Sequence, residues 1–338
     1  MQMLEGRNIS RHYEAREGVS LGRSRATIYA VDDVTLTLRE GEIFGLIGES
    51  GCGKSTLARV FGLLESPTSG DLLYDGRPVR SMGRRERRRL HRNVQVVLQD
   101  PYDSLDPRAS ILDIVAEPLD IHRLAKSRHD RRRQVEEMIE TVGLRGGDAL
   151  LRAKPRGLSG GERQRIAIAR AMVLRPRYIV ADEPLSMVDV SARAEIMNVI
   201  LRLRREFNTG FLYITHDLSA AQHLCDEIAV MYLGRIAEVG PTDEVLRSPA
   251  HPYTNLLESA IPDADPTRTR PRVANTGETP EPRNLEHVCA FAPRCELATD
   301  ECVQTRPELT QDGSRSVACF HPLNTKDLAA TEMGGRRG

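Results

Sequence analysis

Four short apolar runs recur along the first two thirds of the chain, each ending in polar or glycine-rich punctuation. They are "EIFGLIG" (Glu42 to Gly48), "VQVVLQ" (Val94 to Gln99), "YIVADE" (Tyr178 to Glu183) and "GFLYITH" (Gly210 to His216). Continuous apolar runs of this length read as strands buried on both faces, and the stretches between them carry helical spacing, so the pattern predicts an α/β fold. Between Asp113 and Leu174 the pattern is mainly helical, which predicts an α-helical subdomain inserted at about residues 100–175. "EIAVMYLGRIAEVG" (Glu227 to Gly240) reads as a hairpin and supplies an antiparallel β region. From Pro262 to Asn284 the chain turns to Pro, Thr, Asp and Arg, too poor in apolar residues to bury a core. The expected organisation is a main domain over 1–261, a linker over 262–284, a small cysteine-rich C-terminal domain over 285–325 and a flexible tail over 326–338.

Composition changes this picture little. With 338 residues, 40% hydrophobic and 28% charged, the chain is an ordinary globular protein with room for two domains. Lys plus Arg balance Asp plus Glu at 48 each, so no overall field points to nucleic acid or anionic lipid. Two arginine-dense runs, Arg84 to Arg92 and Arg128 to Arg133, lack interleaved aromatics and have acidic neighbours. They read as solvated helix faces rather than a nucleic-acid footprint. The first residues, "MQMLEGRNIS", have no apolar export core, and no stretch approaches 18 uncharged apolar residues. A cytoplasmic location is expected, with any work at a membrane done through a partner.

The chemistry begins at "GESGCGKST", Gly48 to Thr56, which fits G-x-x-x-x-G-K-[ST] between an apolar strand and a helical run. Glycines let successive N–H groups curl around an anion, and the helix start adds positive potential. Gly48, Ser50, Gly51, Cys52, Gly53, Lys54, Ser55 and Thr56 therefore form the candidate phosphate cradle, with Lys54 on the β- and γ-phosphates and the Ser55 hydroxyl on Mg²⁺. Cys52 reads as a tolerated small residue. The strand "YIVADEP" ends in two carboxylates, and neighbours on a strand face opposite ways. At the strand's end this places Asp182 toward the Mg²⁺ shell and Glu183 toward the γ-phosphate, where it can polarise a water.

"RGLSGGERQRIAIARAM" (Arg156 to Met172) places two glycines at the start of an amphipathic helix. Ser159 and Glu162 make an S-x-x-E capping box, which explains a well-started helix but not Gly160 and Gly161. Bare N–H groups at a helix start are an anion site.

As an ordered set, these motifs resemble the ATP-binding-cassette ATPases over residues 1 to about 250. "LSGGE" (Leu158 to Glu162) matches the signature sequence, Gln99 the Q-loop, Asp189 in "SMVD" the D-loop and His216 in "ITHDL" the switch histidine. Tyr13 in "RHYE" is similar to the aromatic residue that stacks on adenine, although alone it reads as an ordinary strand residue. The resemblance implies a P-loop ATPase cassette using ATP and Mg²⁺, the metal held by Ser55, Gln99 and Asp182. It implies Glu183 as the group that orients or deprotonates water, with His216, Gln99 and Lys54 completing the catalytic set. It also implies that Ser159, Gly160, Gly161, Glu162 and Asp189 serve a nucleotide held by a second cassette, identical or homologous. Two departures stand out: Glu162 where Gln is usual, and "SMVD" where "SALD" is more frequent.

"QDPYDSLDPR" (Gln99 to Arg108), "HPYT" (His251 to Thr254) and a cysteine-bearing tail look like the oligopeptide/dipeptide importer branch. That likeness implies two membrane-spanning permease subunits, an indirect partnership with a solute-binding protein, a place on the inner face of the cell membrane, and no nucleic acid. Oligosaccharides or metal chelates are the alternative solutes within the branch, and a soluble cassette ATPase acting on nucleic acid or ribosomes is the alternative outside it. The tail cysteines, Cys289, Cys295, Cys302 and Cys319, are spaced too widely for a zinc ribbon or finger. Relatives in this branch imply a [4Fe–4S] cluster there, with another metal, plain thiols or disulfides as the alternatives. Cys225 stands apart and reads as buried and inert.

Overall fold

A computed structural model describes residues 3–16, 25–100, 104–260 and 287–323. The linker expected over 262–284, the tail expected over 326–338 and part of "QDPYDSLDPR" lie outside the described residues.

Strands β1 (Met3–Arg16) and β2 (Arg25–Arg39) form a long antiparallel pair, and β4 (Ser69–Tyr74) and β5 (Arg77–Pro78) complete a sheet of order β2-β1-β4-β5. The second sheet holds β3 (Ile43–Ile47), β6 (Val94–Val97), β7 (Tyr178–Asp182), β8 (Gly210–Thr215), β9 (Glu227–Tyr232), β10 (Arg235–Pro241), β11 (Thr310–Asp312) and β12 (Arg315–Val317). Its order is β11-β12-β10-β9-β3-β8-β7-β6. The four predicted apolar runs are β3, β6, β7 and β8, all parallel and adjacent, with every residue of β3, β7 and β8 buried. The predicted hairpin is β9–β10, turning through Leu233 and Gly234, both at positive φ (42° and 85°), as a two-residue hairpin of matching twist requires.

The helices are α1 (Lys54–Phe61), α2 (Arg84–Asn93), α3 (Ile111–His122), α4 (Arg128–Thr141), α5 (Gly147–Arg152), α6 (Gly160–Met172), α7 (Val190–Phe207), α8 (Leu218–Leu224), α9 (Thr242–Arg247), α10 (Pro252–Ser259) and α11 (Asp300–Gln304). Alternation along the parallel strands divides the core. Phe44, Leu46, Val180, Leu212 and Ile214 face α1 and the antiparallel sheet, where they meet Leu57, Phe61, Leu4 and Leu36. Ile43, Ile47, Ile179, Phe211 and Tyr213 face the helices on the other side, including Ile114 of α3, Ile166 of α6 and Ile196 of α7. α1 is thus sandwiched between two sheets, which fixes the loop that precedes it.

Both arginine runs behave as solvated faces. Only Leu90 of α2 is buried, and on α4 Arg131 pairs with Asp113 and Asp120, Arg132 with Glu136 and Arg133 with Glu137. Among the described residues no helix is long and apolar enough to cross a membrane.

The cysteine-bearing segment docks on the main sheet: β12 pairs with β10, and the Ala318 and Leu323 N–H groups donate to the Ala237 and Ala250 carbonyls. Glu238 of β10, with no exposed surface, anchors this junction by accepting the N–H groups of Ala250 and His251 at 3.0 Å each, with Arg315 of β12 at 3.5 Å. Burial raises its carboxyl above the usual range.

Candidate functional site

The loop Gly48–Gly53 leaves the carboxyl end of β3 and enters α1, the place where parallel α/β sheets bind ligands. Gly53 has φ 107°, and a Cβ there would lie 2.0 Å from the Ala30 carbonyl oxygen, so glycine is obligatory. No side chain caps α1, which leaves its first N–H groups to an anion. Lys54 is only 5% exposed and donates from Nζ to the Gly48 and Glu49 carbonyls at 2.7 and 2.8 Å. A charged ammonium is therefore held along the inside of the loop. Cys52 is buried, its thiol pushed up mainly by burial. Ser50, Gly51 and Ser55 are exposed along the loop and Thr56 is half-buried.

The remaining predicted groups stand just past the carboxyl ends of the neighbouring strands. Gln99 follows β6, Glu183 follows β7 and His216 follows β8, and the parallel register brings the three together. Gln99 Nε2 donates to Glu183 Oε2 at 3.0 Å, and His216 Nδ1 lies 3.2 Å from Glu183 Oε1. Glu183 is held at φ 45°, a left-handed conformation that costs a non-glycine residue about 1–3 kcal/mol. Its N–H donates to the Ile214 carbonyl, and its own carbonyl accepts from Ser186. The turn thus breaks strand alternation where two adjacent carboxylates need different tasks.

Asp182 remains on the strand, 8% exposed, hydrogen-bonded with Ser55, and its Oδ1 is buried without a hydrogen-bond partner. Burial raises its carboxyl above the usual range, and the Ser55 hydrogen bond opposes this. A buried carboxylate oxygen with an open valence beside a serine hydroxyl fits a hard divalent cation.

The start of α6 has a different setting. Ser159 Oγ accepts from the Glu162 N–H at 3.3 Å, and Glu162 Oε2 accepts from the Ser159 N–H at 2.8 Å, so the predicted capping box is present. These contacts hold the Glu162 carboxyl below its ordinary range. Ser159 is exposed and Gly160 half-buried. Gly161, however, is buried, and a Cβ on it would lie 2.7 Å from the Ala192 Cβ of α7. One of the two glycines therefore has a packing reason inside the chain, which the sequence pattern did not show. Asp189 caps α7 through the Ala192 N–H at 3.0 Å and is exposed, flanked by Met187 (53% exposed) and Val190 (81%). Tyr13 lies on β1 with its hydroxyl donating to Glu65 at 2.7 Å and the Arg11 guanidinium 4.8 Å over its ring.

"HPYT" performs local work. His251 Nδ1 accepts the Tyr253 N–H at 3.0 Å and caps α10, and burial lowers the imidazole to about 4. The Tyr253 hydroxyl accepts the Glu49 N–H of the phosphate loop at 3.0 Å. Sequence reasoning used this motif only as a family marker.

Cys289, Cys295, Cys302 and Cys319 are free thiols that line one cavity of about 10 Å³ together with Phe291 and His321. That volume admits about one water. Among the described residues no three His, Cys, Asp or Glu side chains are grouped as a metal site. Burial raises the Cys289 and Cys295 thiols and pushes Cys319 up to about 11. As arranged, these residues do not fit a [4Fe–4S] cluster. Cys225 is buried, its thiol raised mainly by burial.

Comparisons with known proteins agree with this geometry. Residues 31–186 match the family "ABC transporter", and residues 237–302 match "Oligopeptide/dipeptide transporter, C-terminal region". The chain is 45% identical to the di/tripeptide transport ATP-binding protein DppF of Pseudomonas aeruginosa, covering 94% of this chain and 97% of the relative. It is 41% identical to the oligopeptide transport ATP-binding protein OppF of Escherichia coli, covering 94% and 96%. Among solved structures it is similar to the ATP-binding cassette MJ0796, dimeric in a post-hydrolysis state with ADP and Pi. There the TM-score is 0.61, identity is 29%, and coverage is 71% of this chain and 98% of that one.

Proposed function

The chain belongs to the ABC transporter ATPases, in the group whose C-terminal region is that of oligopeptide/dipeptide transporters, and on that premise we propose how its residues divide the work of ATP hydrolysis. The chain is an ATP-hydrolysing subunit that powers a membrane importer of peptides or related solutes. The observation that carries the proposed mechanism is Glu183, bent out of strand geometry and held between Gln99 at 3.0 Å and His216 at 3.2 Å, directly after Asp182.

Lys54 and the open N–H groups of α1 bind the β- and γ-phosphates, and Tyr13 offers its ring to the adenine. Ser55, Asp182 and Gln99 would hold Mg²⁺, which when bound neutralises charge on the phosphate oxygens. Glu183 orients the attacking water and accepts its proton, while His216 and Gln99 fix the carboxylate in position. Replacing Glu183 by Gln leaves ATP binding intact and lowers turnover by about a hundred- to ten-thousandfold, the usual worth of a positioned base. Single-turnover hydrolysis at the wild-type rate in Glu183→Gln overturns the assignment.

The second half of the site comes from a partner cassette, identical or homologous. Its support is the exposed Ser159 cap of α6 and the exposed Asp189, Met187 and Val190 beside it, apolar and acidic groups with no role inside the chain's own pocket. Ser159, Gly160, Gly161, Glu162 and Asp189 of one subunit then face the γ-phosphate held by the other. Two permease subunits receive the motion, and the chain sits peripherally on the membrane's inner face, with a solute-binding protein delivering cargo from the other side. Reconstitution with the permeases tests this arrangement: peptide uptake that proceeds without the cassette refutes it.

For the tail cysteines, a [4Fe–4S] cluster is kept as a proposal supported by four thiols around one cavity, and it requires their sulfurs to rearrange. No step of hydrolysis passes through it. Iron and acid-labile sulfide in anaerobically prepared chain decide it, and protein with neither removes the cluster.

A further inference from the structure

The phosphate loop and the cysteine segment converge on Glu49, from opposite sides of that residue. Its backbone N–H donates to the Tyr253 hydroxyl at 3.0 Å, and its carbonyl accepts Lys54 Nζ at 2.8 Å. Its carboxylate receives Arg294 in a two-pronged pair, Nη1 to Oε2 at 2.8 Å and Nη2 to Oε1 at 2.9 Å. Arg294 is 245 residues away in sequence and belongs to the cysteine segment. Its side chain is 2% exposed, whereas that of Glu49 is 28% exposed.

An arginine that buried is fixed by everything around it. Its guanidinium lies 5.7 Å from the Tyr232 and Phe291 ring centres, and Tyr232 packs on Tyr253 with centroids 4.5 Å apart. Its backbone closes a tight turn bounded by two of the cysteines. The Ala292 N–H donates to the Cys289 carbonyl, the Arg294 N–H to Phe291 and the Cys295 N–H to Ala292. The turn held by the Cys289 carbonyl and the Cys295 N–H thus ends in the guanidinium on Glu49. Because the same loop residue also carries the carbonyl that holds Lys54, a shift of Glu49 reaches the ammonium that meets phosphate.

We propose that Arg294 is a positioning residue for ATP binding: through its two-pronged pair with Glu49 it braces the phosphate loop, so that the fold of the cysteine segment sets the chain's affinity for ATP. A bidentate guanidinium suits this task because it fixes both position and orientation of a carboxylate, which a lysine ammonium cannot. The inference rests on the reading of Gly48–Thr56 as the ATP site.

The test is equilibrium binding of ATP with Mg²⁺ to the full chain by calorimetry, together with KM and kcat, for wild type, Arg294→Gln, Arg294→Lys, Glu49→Gln and the double Gln variant. Removing either partner raises the dissociation constant and KM by roughly five- to tenfold, the range of a modest coupling free energy, with kcat near wild type. The double variant is no weaker than the worse single one, because both remove one interaction. Arg294→Lys recovers part of the affinity. If Arg294→Gln does not fold, Glu49→Gln tests the same pair from its more exposed end. Unchanged affinity in Glu49→Gln, or single effects that multiply in the double variant, overturns the brace. Wild-type chain that binds no ATP overturns the reading beneath it instead.

Discussion

The start of α1, preceded by Gly53, and the start of α6, whose first residues are Gly160 and Gly161, are built for different partners. The start of α1 has no side-chain cap, faces a loop closed by Gly53 at φ 107°, and has Lys54 folded along it at 5% exposure. The start of α6 has an exposed cap, Ser159, and is covered by a carboxylate, with Glu162 bonded to both the Ser159 N–H and its hydroxyl at 2.8 Å. The first is complete within the chain and supplies positive charge. At the second only the Ser159 cap is exposed, with Gly160 half-buried and Gly161 buried, and a negative charge is held beside them. A phosphate bound by the chain's own residues therefore fits α1, while the proposed role of α6 requires a phosphate brought by another molecule.

Breaking the first start has the largest effect. Lys54→Ala removes the only ammonium in the loop and lowers kcat/KM by about a hundred- to thousandfold, as loss of one pre-aligned charge donor does, at every protein concentration. Breaking the second start leaves binding alone. Ser159→Asp keeps a good cap but puts a second negative charge where the partner's phosphate docks. Lone-chain ATP affinity stays at wild type while turnover falls about a hundredfold by the same charge logic, and the melting temperature falls slightly because the new carboxylate faces Glu162, whose Oε2 accepts from the Ser159 hydroxyl at 2.8 Å. Mixing Lys54→Ala with Ser159→Asp sharpens the contrast. In a mixed pair one site carries neither lesion, so mixtures of two inactive proteins regain turnover. Mixtures as inactive as their components mean that the site does not span two chains.

Gly161→Ala probes the packing that the second start shares with the rest of the chain. A Cβ 2.7 Å from the Ala192 Cβ forces α6 and α7 apart, at a cost of about 1–3 kcal/mol typical of overpacking. Chemical denaturation reads this directly. A variant as stable as wild type shows that α6 can shift freely.

Local motifs were legible because their geometry is decided locally. A strand, a loop of fixed glycines and a lysine at one spacing determine the phosphate cradle, and three strand-end residues meet because parallel neighbours end together. The capping box was readable for the same reason. Arg294 and Tyr253 were not, since their contacts to Glu49 depend on how a segment more than 200 residues distant docks. Nor did the pattern reveal that β11 and β12 extend the main sheet, because strands of three residues carry too little alternation to stand out. For the tail cysteines the spacing suited no zinc ribbon or finger, and the metal expectation came from the family likeness, which carries no information on how the four thiols pack around one small cavity.

The smallest predicted effect bears most closely on the departure at the signature, Glu162 in place of Gln. Its carboxyl is depressed, first by the Ser159 N–H and then by the Ser159 hydroxyl. A carboxyl depressed on folding stabilises the fold fully above its unfolded value of 4.5, and that contribution is lost as pH falls through the lower folded value. Wild type is therefore more stable than Glu162→Gln at pH 7 by about 0.5 kcal/mol, discounted for a site near the surface, and the gap closes in acid. Function runs the other way. If α6 receives the partner's phosphate as proposed, the carboxylate that caps it repels that phosphate, so Glu162→Gln, slightly less stable, associates about two- to fivefold more tightly with ATP-loaded partner at low salt, and salt erases the gain. Analytical ultracentrifugation of hydrolysis-deficient chains at two ionic strengths measures this. Equal association at low salt shows that the phosphate never comes near that carboxylate, and the start of α6 then has some other use.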